Sequence, residues 1–532
     1  MSHRALARIR LILAWHLAMV PLAAIANPSL DIVHRRHAQA QRQFAADLAP
    51  IAQDLRDSGA TEAAALAWRL AVPPESGEFL SSELPETVSE EIPLEIPPEQ
   101  RNALIRFRAA REKQSIALQV LGHQAVTAGS VQYAYELARE AARQDPDNAI
   151  ARRILGFVRY QDRWVSPFES KMLRAGQVWH DSFGWLPEGH VARYEAGERF
   201  HNGRWISAAQ DAELHRDFSN PWLIRTEHYL IKTNHSLEKG VEVAMRLERF
   251  HDFFVEVFAG FFWNPRELRS LFRGSAAQQR DSRPYQVHYY RLREEYNQRL
   301  VRKIPQIAMT NGLYYTADRI AYFFHDEEHS QEDTLYHEAT HQLMYEALPY
   351  DRDVAGQAHF WVIEGIACYM ESFRDEGGTI SIGDPEHTRI IAARYRYLVD
   401  KHYTPLARFA AMGVQEFQNL PYAELQRNYS QAAGLAHFFM HFDNGRYREA
   451  FIEHLAQLYQ TSAQGRRRVQ NLAELTGNSY DILDREYGQY MENLGPPRTN
   501  AAAVPAKDAA GLQPPLDISE APNGERLVAP PN

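Results

Sequence analysis

The chain has 532 residues, of which 45% are hydrophobic and 24% charged, with a formal net charge of −10. That length exceeds what one hydrophobic core holds, so two or three folded units are expected. Acidic and basic residues are mixed along most of the sequence, and the lack of a domain-wide basic face speaks against a nucleic-acid partner.

Residues 1–26 read as an export signal. Arg4, Arg8 and Arg10 form a positive start, Leu11 to Leu22 is largely apolar, and Ala24-Ile25-Ala26 is a small-x-small cleavage site. The expected mature protein starts near Asn27 and works in the periplasm or outside the cell. An uncleaved N-terminal membrane anchor is the alternative, but His16 and Pro21 interrupt the run, which is short of the ~20 residues a spanning helix needs. No later segment reaches that length without charge, so no stable membrane insertion is expected after cleavage. The single cysteine, Cys368, cannot form an internal disulfide. It reads as a buried small side chain, with metal ligation or nucleophilicity as alternatives.

Residues 28 to about 72 carry a helical pattern rich in Ala, Gln and Leu, and the Pro-, Glu- and Ser-dense stretch Pro73–Glu99 reads as a linker. A helical, repeat-like region spans 100–219. Leu121-Gly122, Ala125, Gly129, Tyr133, Ala134, Ala141, the turn Asp145-Pro146-Asp147-Asn148 and Leu155-Gly156 resemble a tetratricopeptide repeat. Small residues let two antiparallel helices pack closely, and the Pro-Asp turn stops the second. About one and a half repeats are too few for a solenoid, so a helical hairpin docked on another unit is expected, available to a protein partner. Asp162-Arg163-Trp164-Val165-Ser166 recurs as Gly203-Arg204-Trp205-Ile206-Ser207, which predicts two small units of a hairpin with a helix. Their tryptophans read as packing residues, with ligand binding as the alternative.

From 220 to 494 the pattern is α+β. Trp222–Thr233 alternates as a strand, with Glu227-His228-Tyr229 as packed strand residues, and Leu237–Phe258 has helical spacing. Tyr285–Tyr290 is a further strand, and Gly312–His325 reads as two short strands around Ala317-Asp318. A helix begins near Ser330, and the chain to about Tyr490 reads as almost wholly helical. The segment 495–532, rich in Ala and Pro with few large apolar residues, reads as a disordered tail.

The chemistry concentrates in His337-Glu338-Ala339-Thr340-His341, within the helical run DTLYHEATHQLMYEAL. Residues four apart share a helix face, so both imidazoles reach one ion, and Glu338 projects beside them where it can act on a water. Zinc suits imidazole nitrogen and carboxylate oxygen. With 23 histidines in the chain the pattern alone is weak, and its context strengthens it: Leu335, Leu343 and Met344 supply apolar contacts, and the run has no Pro or Gly. Glu364, in the apolar helical run FWVIEGIACYME, is the candidate third ligand. Pro349, Asp351, Asp353 and Gly356 allow the chain to reverse between the two helices, and a glutamate buried in so apolar a run is costly unless a cation compensates it. An ordinary surface glutamate is the alternative.

HEATHQL followed by W-x-x-E-G-I-A-x-Y resembles the gluzincin superfamily of thermolysin-like and aminopeptidase-like zinc peptidases. More narrowly it is similar to exported bacterial domains described as peptidase-MA-like. The resemblance covers about residues 220–490. It implies a mixed β-sheet whose edge strand lies along the substrate cleft, then an active-site helix, then a helical half bearing the glutamate. It places one Zn2+ on His337, His341 and Glu364, with Glu338 as general base in hydrolysis of a peptide bond. One departure is clear. Thermolysin-like members often carry an aspartate four residues after the glutamate ligand to steady a histidine, and here that position is Cys368. Glu371, about two turns on from Glu364, is a candidate replacement, with surface solvation as the alternative. Tyr429, opening the run YSQAAGLAHFFMHF, resembles the aminopeptidase tyrosine that stabilises the oxyanion, with core packing as the alternative. His437 and His441 also lie four apart but lack a companion acid. The expected substrate is a peptide or protein. The competing reading is a catalytically inactive zinc-binding scaffold that recruits partners through its helical repeats.

Overall fold

The computed structural model describes residues 28–72, 81–82, 84, 92–275, 283–327, 331–347, 354–376, 379–460 and 469–495. The expected export signal, most of the linker and the expected tail lie outside the described residues.

The N-terminal part is built of helices α1 (Pro28–Asp57), α2 (Thr61–Ala71), α3 (Pro98–Thr127) and α4 (Val131–Gln144). The turn between α3 and α4 is fixed by Ser130, whose side chain accepts the Tyr133 amide, and Asn148 caps the short helix Ala149–Ile154. Ala125, Ala134, Ala138 and Ala141 are buried along this contact. The helical pair is docked as expected: Leu121, Ala125 and Leu137 share a core with Ala259, Leu268, Leu271 and Phe272. A β-carbon added at Gly122 would meet the Phe272 ring at 2.7 Å, so a larger residue there would separate the two units.

Next come hairpin-and-helix units. The two expected ones are Val158–Tyr160 with Arg163–Val165, and Glu198–His201 with Arg204–Ser207. Between them the structure has a third, Gln177–His180 with Gly184–Pro187. It was hidden because Gly184-Trp185-Leu186-Pro187 stands where the other two read Arg-Trp followed by Val or Ile and Ser. The legible signal was the repeated Ala-Gly at Ala175-Gly176 and Ala196-Gly197. Both glycines have positive φ (71° and 86°), and their carbonyls accept from Glu188 and Ala208, closing each unit.

The following part of the chain opens with a five-stranded mixed sheet. Its strands are β1 (Trp222–Arg225), β2 (Tyr229–Thr233), β3 (Tyr285–Tyr290), β4 (Leu313–Tyr315) and β5 (Ile320–Phe324), in the order β4-β5-β3-β2-β1. β3 runs parallel to β2 and β5, whereas β1 and β4 are antiparallel edges. One expectation is corrected here: Trp222–Thr233 is a hairpin and not one strand. Thr226 N–H donates to the Tyr229 carbonyl at 3.0 Å, and the Glu248 carboxylate accepts the His228 amide at 2.7 Å. Each strand alternates on its own, burying Trp222 and Ile224 and then Tyr229, Ile231 and Thr233, and the turn between them shifts the phase by one residue. Glu227 and His228 therefore sit in the turn, not on the strand.

Helix α5 (Leu237–Val257) packs on the sheet, and the helical half follows as α6 (Glu332–Ala347), α7 (Phe360–Met370), α8 (Thr388–Leu398), α9 (Tyr422–Gly445), α10 (Arg448–Tyr459) and α11 (Tyr480–Leu494). One large core runs from Trp222 to Met491 through these elements. The architecture is α+β, as expected. The stretch after 330 is almost wholly helical among its described residues, as expected, with one hairpin as the exception. Arg374–Glu376 and Thr379–Ser381 form a hairpin, and the linker residues Ser81–Ser82 pair with its second strand. Both strands are three residues long, too short for a two-residue alternation to register in the sequence.

Candidate metal centre

Helix α6 has acidic Glu332 and Asp333 in its first turn and no proline or glycine to interrupt it. It is buried over most of its length, including Leu335, Leu343 and Met344, so its polar residues are carried inward with the apolar ones. The His337 and His341 rings lie 4.8 Å apart at 70° to each other, and their Nε2 atoms are 3.1 Å apart. Helix α7 is buried at every position. It crosses α9 at close range: a β-carbon on Gly365 would lie 2.7 Å from the Ala432 carbonyl oxygen. That approach seats its neighbour Glu364, which is 0% exposed.

Glu364 Oε2 lies 3.7 Å from Nε2 of His337 and 3.7 Å from Nε2 of His341. The three atoms form a triangle with edges of 3.1, 3.7 and 3.7 Å. Ligand bonds of ~2.0–2.1 Å at tetrahedral angles separate neighbouring donors by about 3.3 Å, so the triangle has the size a zinc site requires. Neither carboxylate oxygen of Glu364 has a hydrogen-bond partner among the described residues. An uncompensated carboxylate in such a place is strongly unfavourable, and a cation between the three donors removes the cost. The residues fit a divalent metal of the zinc type.

The surroundings orient the donors. Nδ1 of His337 meets Glu371 Oε1 at 2.7 Å, and Arg389 grips Glu371 in a two-pronged pair, Nε to Oε2 and a terminal nitrogen to Oε1, both at 2.7 Å. Burial works against ionisation of Glu371, but Arg389 and His337 outweigh it and hold the carboxyl down at about 2. Burial keeps His341 down at about 4, so its ring is neutral and its lone pair free near neutral pH. Cys368 is buried, as expected, and its sulfur stands beside the same His337 ring with Glu371. The chain thus places a carboxylate on His337 from one helical turn beyond the cysteine.

Glu338 is 1% exposed, and its Oε2 accepts the backbone N–H of Tyr314 on edge strand β4 at 2.6 Å. Its other oxygen has no partner among the described residues. Burial pushes its carboxyl up to about 7, against the pull of His337 and the Tyr314 amide. The Tyr314 hydroxyl also donates to Glu346 on α6, at 3.2 Å, so strand and helix are fastened twice. Of the four core residues His341 is the most exposed, its side chain 11% accessible, which marks the side from which the centre is reached.

Tyr429 is buried in the helical half with its ring edge-on to Phe417, centroids 5.3 Å apart. His437 and His441 do not converge on a metal. Nε2 of His437 holds the Gly383 carbonyl at 2.9 Å and Nδ1 the Tyr490 hydroxyl at 2.7 Å, while His441 meets the Tyr369 hydroxyl at 2.8 Å. Sequence reasoning missed Arg389 and the Tyr314 amide. The first left a faint signal, an arginine opening the largely apolar run Ile390-Ile391-Ala392-Ala393. A backbone N–H leaves none.

Residues 331–463, which include every one of these helical site residues, match the model of a family described as "Protein of unknown function (DUF1570)". No curated protein and no solved structure matches the chain.

Proposed function

We propose that the chain is a zinc-dependent hydrolase of peptide bonds, in which His337, His341 and Glu364 hold one Zn2+ and Glu338 is the general base. The observation that carries the reading is the triangle of donor atoms, closed by a fully buried Glu364 carboxylate whose oxygens lack hydrogen-bond partners among the described residues. A bound Zn2+ supplies Lewis acidity, activating water and polarising a carbonyl.

The chain's own groups divide the remaining work. The Tyr314 amide fixes one oxygen of Glu338, leaving the other to take a proton from the attacking water and deliver it to the leaving amine. Glu371, gripped by Arg389, holds the His337 ring so that Nε2 faces His341 and Glu364. The gluzincin resemblance implies an extended peptide along β4, the strand whose backbone touches Glu338. The resemblance to exported peptidase-MA-like domains and the N-terminal signal pattern point to work outside the cytoplasm.

One observation favours the alternative, a zinc-binding scaffold: Ile105, Ile116 and Val120 are exposed along α3, where a protein partner could seat. A single comparison separates the two. Zinc content and cleavage of a mixed peptide library are measured for the native chain, Glu338→Gln and His337→Ala/His341→Ala. The hydrolase predicts one more zinc ion per chain in the first two than in the third, and cleavage in the first alone. Zinc without cleavage in the native chain assigns the scaffold, and cleavage undiminished in Glu338→Gln removes the general base.

A further inference from the structure

A second group of metal-type donors lies in the hairpin unit Glu198–Ser207 and the helix that follows it. His201 ends one strand of its hairpin, Asp211 lies on the helix Ala208–Leu214, and His215 caps that helix. Their donor atoms all lie within 4.8 Å of one another. The His201 and His215 rings meet at 72° with centroids 5.9 Å apart, nearly the angle of His337 and His341. Nε2 of His215 is 3.5 Å from Asp211 Oδ1, inside the range of the first site's donor edges.

The partners around the group set its polarity. Nδ1 of His215 lies 2.8 Å from the Asn220 carbonyl, which only accepts, so Nδ1 carries the proton. In the neutral ring the lone pair then sits on Nε2 and faces the Asp211 carboxylate. A proton on Nε2 or a metal ion between the two atoms satisfies both, and only the metal ion also engages His201. A histidine that donates one ring N–H to a carbonyl while turning its other nitrogen to a shared point has the arrangement typical of a metal ligand. The second oxygen of Asp211 is occupied by the Trp222 indole N–H at 2.8 Å, which fixes the carboxylate. Asn202 holds the other edge of His201 at 2.8 Å.

Two other histidine groups differ in ring geometry, although the donor atoms of His228, Glu248, His251 and Asp252 also lie within 4.8 Å of one another. His228 is satisfied by Glu248 at 2.6 Å and lies flat on His251, the rings 3.7 Å apart at 21°. His437 and His441 are likewise nearly parallel, at 29°.

We propose that His201, Asp211 and His215 form a second cation site of the zinc type, structural in role, that pins the hairpin unit Glu198–Ser207 to the five-stranded sheet. Asp211 reaches the sheet through Trp222 at the start of β1, and His215 through the Asn220 carbonyl, so a cation there ties hairpin, helix and strand together. Water completes the coordination where the group meets solvent.

The test is zinc stoichiometry by elemental analysis of the full chain after equilibration with zinc alone. The native chain, His201→Ala/His215→Ala, His337→Ala/His341→Ala and Asp211→Asn are compared. Asp211→Asn keeps an oxygen for Trp222 and guards against misfolding of the double variant. The expected content falls from about two ions per chain to about one in each variant. Peptide cleavage persists in His201→Ala/His215→Ala, and a chelator lowers its melting temperature less than that of the native chain. Zinc lost in the His201/His215 and Asp211 variants but kept in the His337/His341 variant would support this site and refute the first. A native chain with one ion, lost wholly in His337→Ala/His341→Ala and untouched by Asp211→Asn, overturns the proposal.

Discussion

His337 and Glu371 are 34 residues apart in the chain, yet Nδ1 of the histidine and Oε1 of the glutamate meet at 2.7 Å with both side chains buried. The contact settles which ring nitrogen faces His341 and Glu364, and Arg389 keeps the glutamate ionised while it does so.

Removing that charge should loosen the metal more than the fold. For Glu371→Gln the expected loss of zinc affinity is roughly 10–100-fold, the usual effect of deleting a group that orients a metal-bound histidine. Competition with a chelating dye measures it. Affinity equal to native would show that Glu371 does not orient His337.

Gly365→Ala tests the close crossing of α7 and α9. Its β-carbon would sit 2.7 Å from the Ala432 carbonyl oxygen, which belongs to a helix backbone and cannot turn aside. The expected cost is about 1–3 kcal/mol of stability from overpacking, with weaker zinc binding because Glu364 moves with its neighbour. Urea unfolding and zinc titration report the two effects separately, and native values in both would mean the crossing is slack.

Tyr429→Phe should lower turnover by about 100-fold, corresponding to ~3 kcal/mol, if the phenol donates to the oxyanion, while zinc content stays native. A fully active variant would leave Tyr429 with the packing role its contact with Phe417 already describes.

The half-buried pair His228–Glu248 predicts a pH dependence of stability. Burial alone would lower His228, but Glu248 overrides it and raises the ring to about 9. A base whose folded-state pKa is raised contributes its stability fully below its unfolded value, ~6.5, and loses it as pH climbs through the folded value. The native chain should therefore exceed His228→Gln in melting temperature at pH 6, with the gap shrinking between pH 6.5 and 9. A gap constant across that interval would show that the pair carries no protonation-linked stability.

Much of this protein was legible as sequence because it rests on local spacing. Four-residue spacing puts His337 and His341 on one helical face whatever the rest of the chain does. An apolar run around Glu364 declares its burial, since a helix apolar on every side has nowhere to lie but inside. The hairpin at 313–324 showed in its turn residues, and the units at Trp164 and Trp205 showed because they repeat. Trp222–Thr233 misled, because each short strand alternates on its own and the phase shift at Glu227-His228 is a single residue. Tertiary structure alone decided the partners across long separations. It brought the Glu371 carboxylate to His337 beside Cys368, set Arg389 behind it, aimed the Tyr314 amide at Glu338, and joined His201 to Asp211 and His215. Those contacts depend on how helices and strands cross, and crossing is set by shape: the missing side chain of Gly365, a carbonyl at Ala432, the turn at Asn220. No local periodicity encodes such distances, so they appear only once the chain has packed.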